Sequence, residues 1–290
     1  MRTHDPSRRD VLKQIGAVAV AVAASGCRRV AAPARSRVGL QLYSVRKPIE
    51  QDFAQTVRRV AQIGFAGIEY YPLPEAIPPA HAATMFREAG LQVLGMHTPL
   101  PVGDQRDVAV RLADTFQCDR VIDPGWPQGD RYTSREATRR TAELFNRTAS
   151  SLATRGLRLG LHNHWWELER TDGIVPFYEL LTWLDESAFF EIDTYWAKTA
   201  GMDPAAVVRD FGRRAPLLHI KDGPAVKGST MYDHVPAGEG TLDFRAIAVA
   251  GGDAVEWLVV EFDEYEGDIF DGIRRSYTYL TERGLGEGKV

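Results

Sequence analysis

Cysteine is almost missing from this 290-residue chain. Cys27 and Cys118 are the two present, so no disulfide framework can hold it together, and stability has to come from an apolar core. Long apolar runs are missing too: the one long stretch, Ile15 to Ser25, has 11 residues, about half of what a helix needs to cross a bilayer. Positive charge is in deficit. The formal net charge is −4, and because residues 1–27 carry Arg2, Arg8, Arg9 and Lys13 against Asp5 and Asp10, the remainder carries −6. A chain this acidic is a poor polyanion binder, which excludes nucleic acid as a partner. A Gly-rich phosphate turn is absent after the first apolar run, where Leu42-Tyr43-Ser44-Val45-Arg46 stands instead; this argues against an open, doubly wound nucleotide-binding sheet. With 44% hydrophobic and 26% charged residues, disorder is excluded as well.

What is present begins with the N-terminus. Ser7-Arg8-Arg9-Asp10-Val11-Leu12-Lys13 precedes the short apolar run, and small residues follow it. A basic segment, a short hydrophobic segment and a small-residue cleavage region make a secretory signal, and the paired arginines point to the twin-arginine route. Ala24-Ser25-Gly26-Cys27 resembles a bacterial lipobox, in which Cys27 would be acylated and become the mature N-terminus, anchoring the protein to a membrane surface. The expectation is a signal at 1–27, an Ala/Pro/Arg linker at 28–37 and one folded domain at 38–290. The protein is then periplasmic or otherwise extracytoplasmic, touching the membrane only through lipid on Cys27.

Beyond the linker, short apolar runs alternate eight times with amphipathic stretches. The runs are Val38–Tyr43, Gly67–Tyr71, Gln92–His97, Arg120–Asp123, Leu157–Asn163, Phe189–Asp193, Leu217–Ile220 and Trp257–Phe262, each short enough for a buried strand. Between them Phe53, Thr56, Val57, Val60 and Ile63 recur at helical spacing until Gly64 stops the helix. Val108–Phe116, Thr138–Thr154, Pro176–Leu184, Pro204–Phe211 and Ile269–Leu280 follow the same pattern, with Ala80–Ala89 and Phe244–Ala250 less regular. Alternation of this kind implies a parallel sheet, and eight units in the 263 residues after Cys27 imply closure into a single α/β (β/α)₈ TIM barrel.

In such a barrel the reactive residues belong at the C-terminal strand ends. Those ends read Tyr43 and Arg46; Glu69 and Tyr70; His97; Asp123; His162, Asn163 and His164, then Glu167; Asp193; His219, Lys221 and Asp222; and Glu261 with Asp263. Asp193, His219 and Glu261 offer the mixed nitrogen and oxygen donors that suit Mn²⁺, Mg²⁺, Co²⁺ or Zn²⁺, and Glu167 or a histidine of His162-Asn163-His164 would complete the shell. Glu69 reads as a structural partner inside the barrel.

Several segments together resemble the sugar phosphate isomerase/epimerase superfamily of xylose-isomerase-like barrels. They are Gln41-Leu42-Tyr43-Ser44-Val45-Arg46, Gly67-Ile68-Glu69-Tyr70, the run Leu161 to Leu168, Glu191-Ile192-Asp193, His219-Ile220-Lys221-Asp222, Gly238-Glu239-Gly240 and Val260-Glu261. The resemblance implies a metal held by an acidic residue on strand five, Asp193, His219 and Glu261. Strand five departs from the pattern by carrying His162 in place of a glutamate, and Glu167 is the preferred replacement ligand.

The chemistry implied is proton abstraction next to a carbonyl with a metal-stabilised enediolate, catalysed by His162, His164 and Glu261 on a small sugar or keto-sugar. Arg46, His97, Trp196, Lys221 and Glu239 are the expected substrate contacts. Two other outcomes fit the same residues: a lyase, hydrolase or dehydratase acting on 3-keto-glycosides, and a sugar-binding lipoprotein without turnover.

Overall fold

An apolar strand cannot bury itself, and each amphipathic stretch that follows carries one apolar stripe, so the two kinds of element cover one another. In the computed structural model, which describes residues 36–125 and 129–289, eight parallel strands close into a barrel in chain order. They are β1 Arg37–Gln41, β2 Gly67–Tyr70, β3 Gln92–His97, β4 Arg120–Asp123, β5 Arg158–His162, β6 Phe189–Asp193, β7 Leu217–Ile220 and β8 Trp257–Val260. Around them run α1 Arg46–Gln51, α2 Phe53–Ile63, α3 Pro79–Glu88, α4 Asp104–Phe116, α5 Arg135–Ala153, α6 Pro176–Trp183, α7 Thr194–Thr199, α8 Pro204–Phe211, α9 Phe244–Gly251 and α10 Ile269–Glu282. The fold is a (β/α)₈ barrel. The expected signal, the lipidation site Cys27 and linker residues 28–35 lie outside the described residues. No helix among the described residues is long and apolar enough to cross a membrane.

Local chemistry sets the element ends. The Asp52 carboxylate accepts the Gln55 N–H at 2.8 Å and starts α2, which buries Phe53, Thr56, Val57 and Val60 and stops at Gly64 in the left-handed region (φ 113°). Losing such an N-cap costs about 1 kcal/mol. Ser134 caps α5 in the same way. The first apolar run leaves the sheet two residues early, because Leu42–Val45 coil into a 3₁₀ turn capped by the Gln41 side chain. Two six-residue helices, α1 and α7, were not evident in the periodicity: at that length no repeat of the apolar pattern can develop.

Strand alternation then stacks the barrel interior in layers. Phe189, Glu191 and Asp193 share one face of β6, and Leu217 and His219 share one face of β7, with Lys221 continuing the alternation just past its end. The register sets His162 opposite Glu191 and Asp193 opposite His219. At the strand starts the interior is an apolar plug of Ala66, Leu94, Ile122, Phe189, Leu217, Trp257 and Val259. The larger core lies between the barrel wall and the helices. Toward the C-terminal ends the same strands turn from apolar to ionisable, which builds the floor of the mouth. Gly95 is part of that floor: a Cβ there would lie 2.8 Å from both Glu69 Oε1 and Ile122 Cδ1, so glycine leaves room for a buried carboxylate.

Candidate metal and active site

His162 ends β5, Asp193 ends β6, His219 lies within β7 and Glu261 directly follows β8. One donor atom from each lies within 4.8 Å of the others, and all four side chains are buried. Asp193 divides its labour: Oδ1 accepts the Trp196 N–H at 2.8 Å and caps α7, while Oδ2 faces the group, 3.9 Å from both His162 Nε2 and His219 Nδ1. Asn163 clamps this corner, its Oδ1 accepting the Asp193 N–H at 2.9 Å and its Nδ2 donating to the Asp193 carbonyl at 3.3 Å. Glu261 Oε2 lies 2.6 Å from His219 Nδ1.

Directly beneath sits a second buried layer. His219 Nε2 is 2.7 Å from Glu69 Oε2 and 3.2 Å from Glu191 Oε2. His97 Nε2 is 2.7 Å from Glu191 Oε2 and 3.2 Å from Glu69 Oε2, and Gln41 Nε2 donates to Glu69 Oε2 at 2.7 Å. Burial alone would raise the Glu191 carboxyl, yet the charges of His219 and His97 and hydrogen bonds from His162 and His219 hold it well below the usual range. Glu69, raised by burial and by the Glu191 charge, reaches about 7. Burial opposes charge on His219 as well, but Glu191, Glu261 and Glu69 lift it well above an ordinary histidine.

Lys221 completes the floor. Its buried ammonium lies 2.8 Å from Glu261 Oε2, 2.9 Å from Asp263 Oδ2 and 3.0 Å from Asp193 Oδ2. Despite the cost of burial, these three carboxylates raise it well above the normal lysine value. Asp263, which burial would raise, is held to about 2, chiefly by Lys221, with His234 Nε2 3.0 Å away.

The donor set fits a divalent cation. Two imidazoles and two carboxylates converge, and Asp193 Oδ2 is buried without a well-aimed hydrogen bond although Lys221 lies close. Formal charge agrees. The five carboxylates Glu69, Glu191, Asp193, Glu261 and Asp263 gather around a single amine, Lys221, and a His219 that ligates is a neutral imidazole.

Above the floor opens a cavity of about 250 Å³. His97, His162, His164, Lys221, Glu261 and Asp263 face it from below, and Tyr43, Tyr71, Pro72, Pro99 and Pro124 form much of the wall. His164 stacks on Trp166 with centroids 4.3 Å apart. Burial, together with the charges on His162 and Lys221, holds His164 well below the ordinary histidine range, so it is a neutral imidazole at the cavity wall.

Several expected contacts are placed elsewhere. Glu167, expected as the strand-five ligand, belongs to neither convergent group. It turns back on its own loop, where Oε2 accepts the His164 N–H at 2.9 Å, and burial raises it to about 8. His162 occupies the corresponding corner of the donor set. Glu239 is exposed and pairs with Arg275. The neighbouring glycines serve Asp222 instead, whose carboxylate accepts N–H groups of Gly238, Gly240, Thr241 and Leu242 at 2.8–3.2 Å. Arg46 stacks over Tyr43 and donates to the Tyr43 and Asp263 carbonyls and to Glu264, bracing the rim from outside the cavity lining. Trp196 is buried behind Lys221, whose ammonium lies 5.2 Å from its ring. Glu191, absent from the expected set, stands two residues before Asp193, so period-two alternation was the signal that placed it inward.

The profile of the family described as Xylose isomerase-like TIM barrel matches residues 57–264. No curated protein matches the chain in sequence. Among solved structures, a sugar phosphate isomerase/epimerase from Parabacteroides distasonis is 22% identical with a TM-score of 0.74, covering 89% of this chain and 97% of its own. A probable 3-DHS dehydratase from Bacillus anthracis is 15% identical at TM-score 0.69, covering 85% of this chain and 99% of its own. A D-allulose 3-epimerase from Methylomonas sp. is 17% identical at TM-score 0.61, covering 88% and 100%. At these identities the structural likenesses speak to the fold. The family match spans most of the chain, and the chain belongs to the xylose isomerase-like TIM barrel family.

Proposed function

We propose that this member of the xylose isomerase-like barrels is an exported, divalent-metal-dependent enzyme that abstracts a proton next to the carbonyl of an unphosphorylated sugar. The observation that carries this reading is the convergence of His162, Asp193, His219 and Glu261 beneath a cavity that the neutral His164 also lines. A cation bound by those four residues supplies Lewis-acid polarisation of a substrate carbonyl and its neighbouring hydroxyl. The side chains do the rest. His164, a base that is uncharged at neutral pH, takes the proton from the carbon beside the carbonyl and returns it to the former carbonyl carbon, while the proton of the neighbouring hydroxyl passes to the former carbonyl oxygen. Lys221 holds Asp193, Glu261 and Asp263 in place beneath the cavity through its three N–H groups.

A second reading, elimination of the aglycone from a 3-keto-glycoside, is favoured by the rim. Tyr43 and Tyr71 meet edge to face at 5.0 Å, and with Pro72, Pro99 and Pro124 they offer an apolar wall suited to a substituent on the sugar. Lys221, the lysine of that lining, already faces three carboxylates, so a phosphate group would gain little there. The same proton abstraction by His164 would then expel the group on the β-carbon.

Metal analysis of the purified protein, together with NMR in D₂O over keto-sugars and 3-keto-glycosides, tests both readings. Bound metal with deuterium incorporation supports isomerisation or epimerisation, and aglycone release supports elimination. Metal without exchange or turnover supports a sugar-binding protein instead, and a protein that binds no metal refutes the proposal.

A further inference from the structure

We infer that Glu69 and Glu191 are positioning residues that decide which nitrogen of His162 and His219 faces the metal site. The inference rests on the metal reading above and adds a layer to it. Each of the two rings has one nitrogen in each layer. His162 points Nδ1 toward Glu191 Oε2 at 3.2 Å and Nε2 toward Asp193 Oδ2 at 3.9 Å. His219 points Nε2 toward Glu69 Oε2 at 2.7 Å and Glu191 Oε2 at 3.2 Å, and Nδ1 toward Glu261 and Asp193.

A neutral imidazole carries one N–H and one lone pair, and a carboxylate accepts only the former. The lower contacts to His219 and His97 have hydrogen-bond lengths, and so does the upper contact of His219 Nδ1 with Glu261 at 2.6 Å, which an ion held by both residues would replace. The 3.9 Å contacts of Asp193 Oδ2 with His162 Nε2 and His219 Nδ1 are too long for hydrogen bonds and leave a gap between the donor atoms that a cation would fill. Glu69 and Glu191 therefore draw the N–H groups downward and leave the lone pairs of His162 Nε2 and His219 Nδ1 for the cation. His97 holds the two carboxylates side by side at 2.7 and 3.2 Å, and Gln41 holds Glu69. The lower cluster is itself a competing candidate, since His97, His162, Glu191 and His219 also bring donors within 4.8 Å. That occupancy needs the lone pairs of the same two rings to point the other way.

The test is titration of the full-length chain with Co²⁺ and Zn²⁺ against a chromophoric chelator, with metal counting and the visible spectrum of bound Co²⁺. Wild type takes up one ion per chain. Glu191→Gln, which can present an amide N–H where a carboxylate accepted one, binds 10–100-fold more weakly, in the range seen when a ligand's outer partner is lost, and shifts the Co²⁺ bands. His97→Gln still takes up one ion. Should Glu191→Gln fail to fold, Glu69→Gln reads the same effect through His219. Unchanged affinity and spectrum in folded Glu191→Gln or Glu69→Gln overturn the inference, and so does a wild type that binds two ions of which His97→Gln loses one. A wild type that binds none overturns the metal reading as well, which separates the two failures.

Discussion

Lys221→Met removes one buried charge from among three. At 2.8–3.0 Å and an effective dielectric near 20, each carboxylate attracts the ammonium by about 5–6 kcal/mol, but burying the ions costs several kcal/mol apiece. What survives is the penalty for leaving Asp193, Glu261 and Asp263 without their counter-ion, roughly 3–5 kcal/mol for a broken buried pair. Methionine keeps most of the volume and the contact with Trp196, so packing contributes little. For a domain of this size about 2–4 °C accompanies each kcal/mol, so the melting temperature in EDTA should fall by roughly 6–20 °C, read by circular dichroism. A divalent cation between Asp193 and Glu261 replaces part of the missing charge. Mn²⁺ should therefore raise the melting temperature of Lys221→Met by more than it raises that of wild type. A fall under about 3 °C, or a metal response no larger than wild type's, would refute both the charge assignment and the position of the ion.

Glu167→Gln should keep metal affinity, because Glu167 stands outside the donor set and an amide oxygen can still accept the His164 N–H. Its effect is on pH dependence. A carboxyl raised from 4.5 to about 8 keeps its proton longer in the folded state, so wild-type stability declines between those pH values, by an amount on the order of 2–5 kcal/mol. Glu167→Gln lacks that decline, and parallel stability curves for the two proteins in urea at pH 5 and 8 would contradict it. His164→Ala should leave the metal bound within a few-fold while lowering kcat about 10²–10⁴-fold, the span of general-base catalysis; equal loss of metal and activity would assign His164 to the ligand shell instead. Gly240→Ala should destabilise by about 2–4 kcal/mol in chemical unfolding, since a Cβ would stand 2.1 Å from Asp222 Oδ1 inside the ring of N–H groups that carboxylate collects; a change under 0.5 kcal/mol would show that the loop can yield.

The fold was legible because it rests on local signals repeated eight times: strands short enough to be buried, helices with one apolar stripe, and caps such as Asp52 and Gly64 at their ends. Much of the site was legible for a related reason. Closing the barrel carries every C-terminal strand end to one mouth, so Asp193, His219 and Glu261 come together across 68 residues of sequence without any further information.

The sequence by itself determined that these strands close, which ends carry ionisable groups, and, through period-two alternation, which side chains face inward. It did not determine how those inward groups share a volume small enough for every charge to feel the others. Glu167 and Glu239 are as acidic as Glu261 in a string of letters. Only the turn of the β5 loop sends Glu167 back to its own backbone, and only the ring of N–H groups around Asp222 turns Glu239 outward to Arg275. Glu69 and Glu191 likewise gain their roles from contacts with His97 and His219, from other strands, at hydrogen-bond distance. Coulomb energies and hydrogen bonds depend on distances of a few ångströms, and those distances exist only once the barrel has closed.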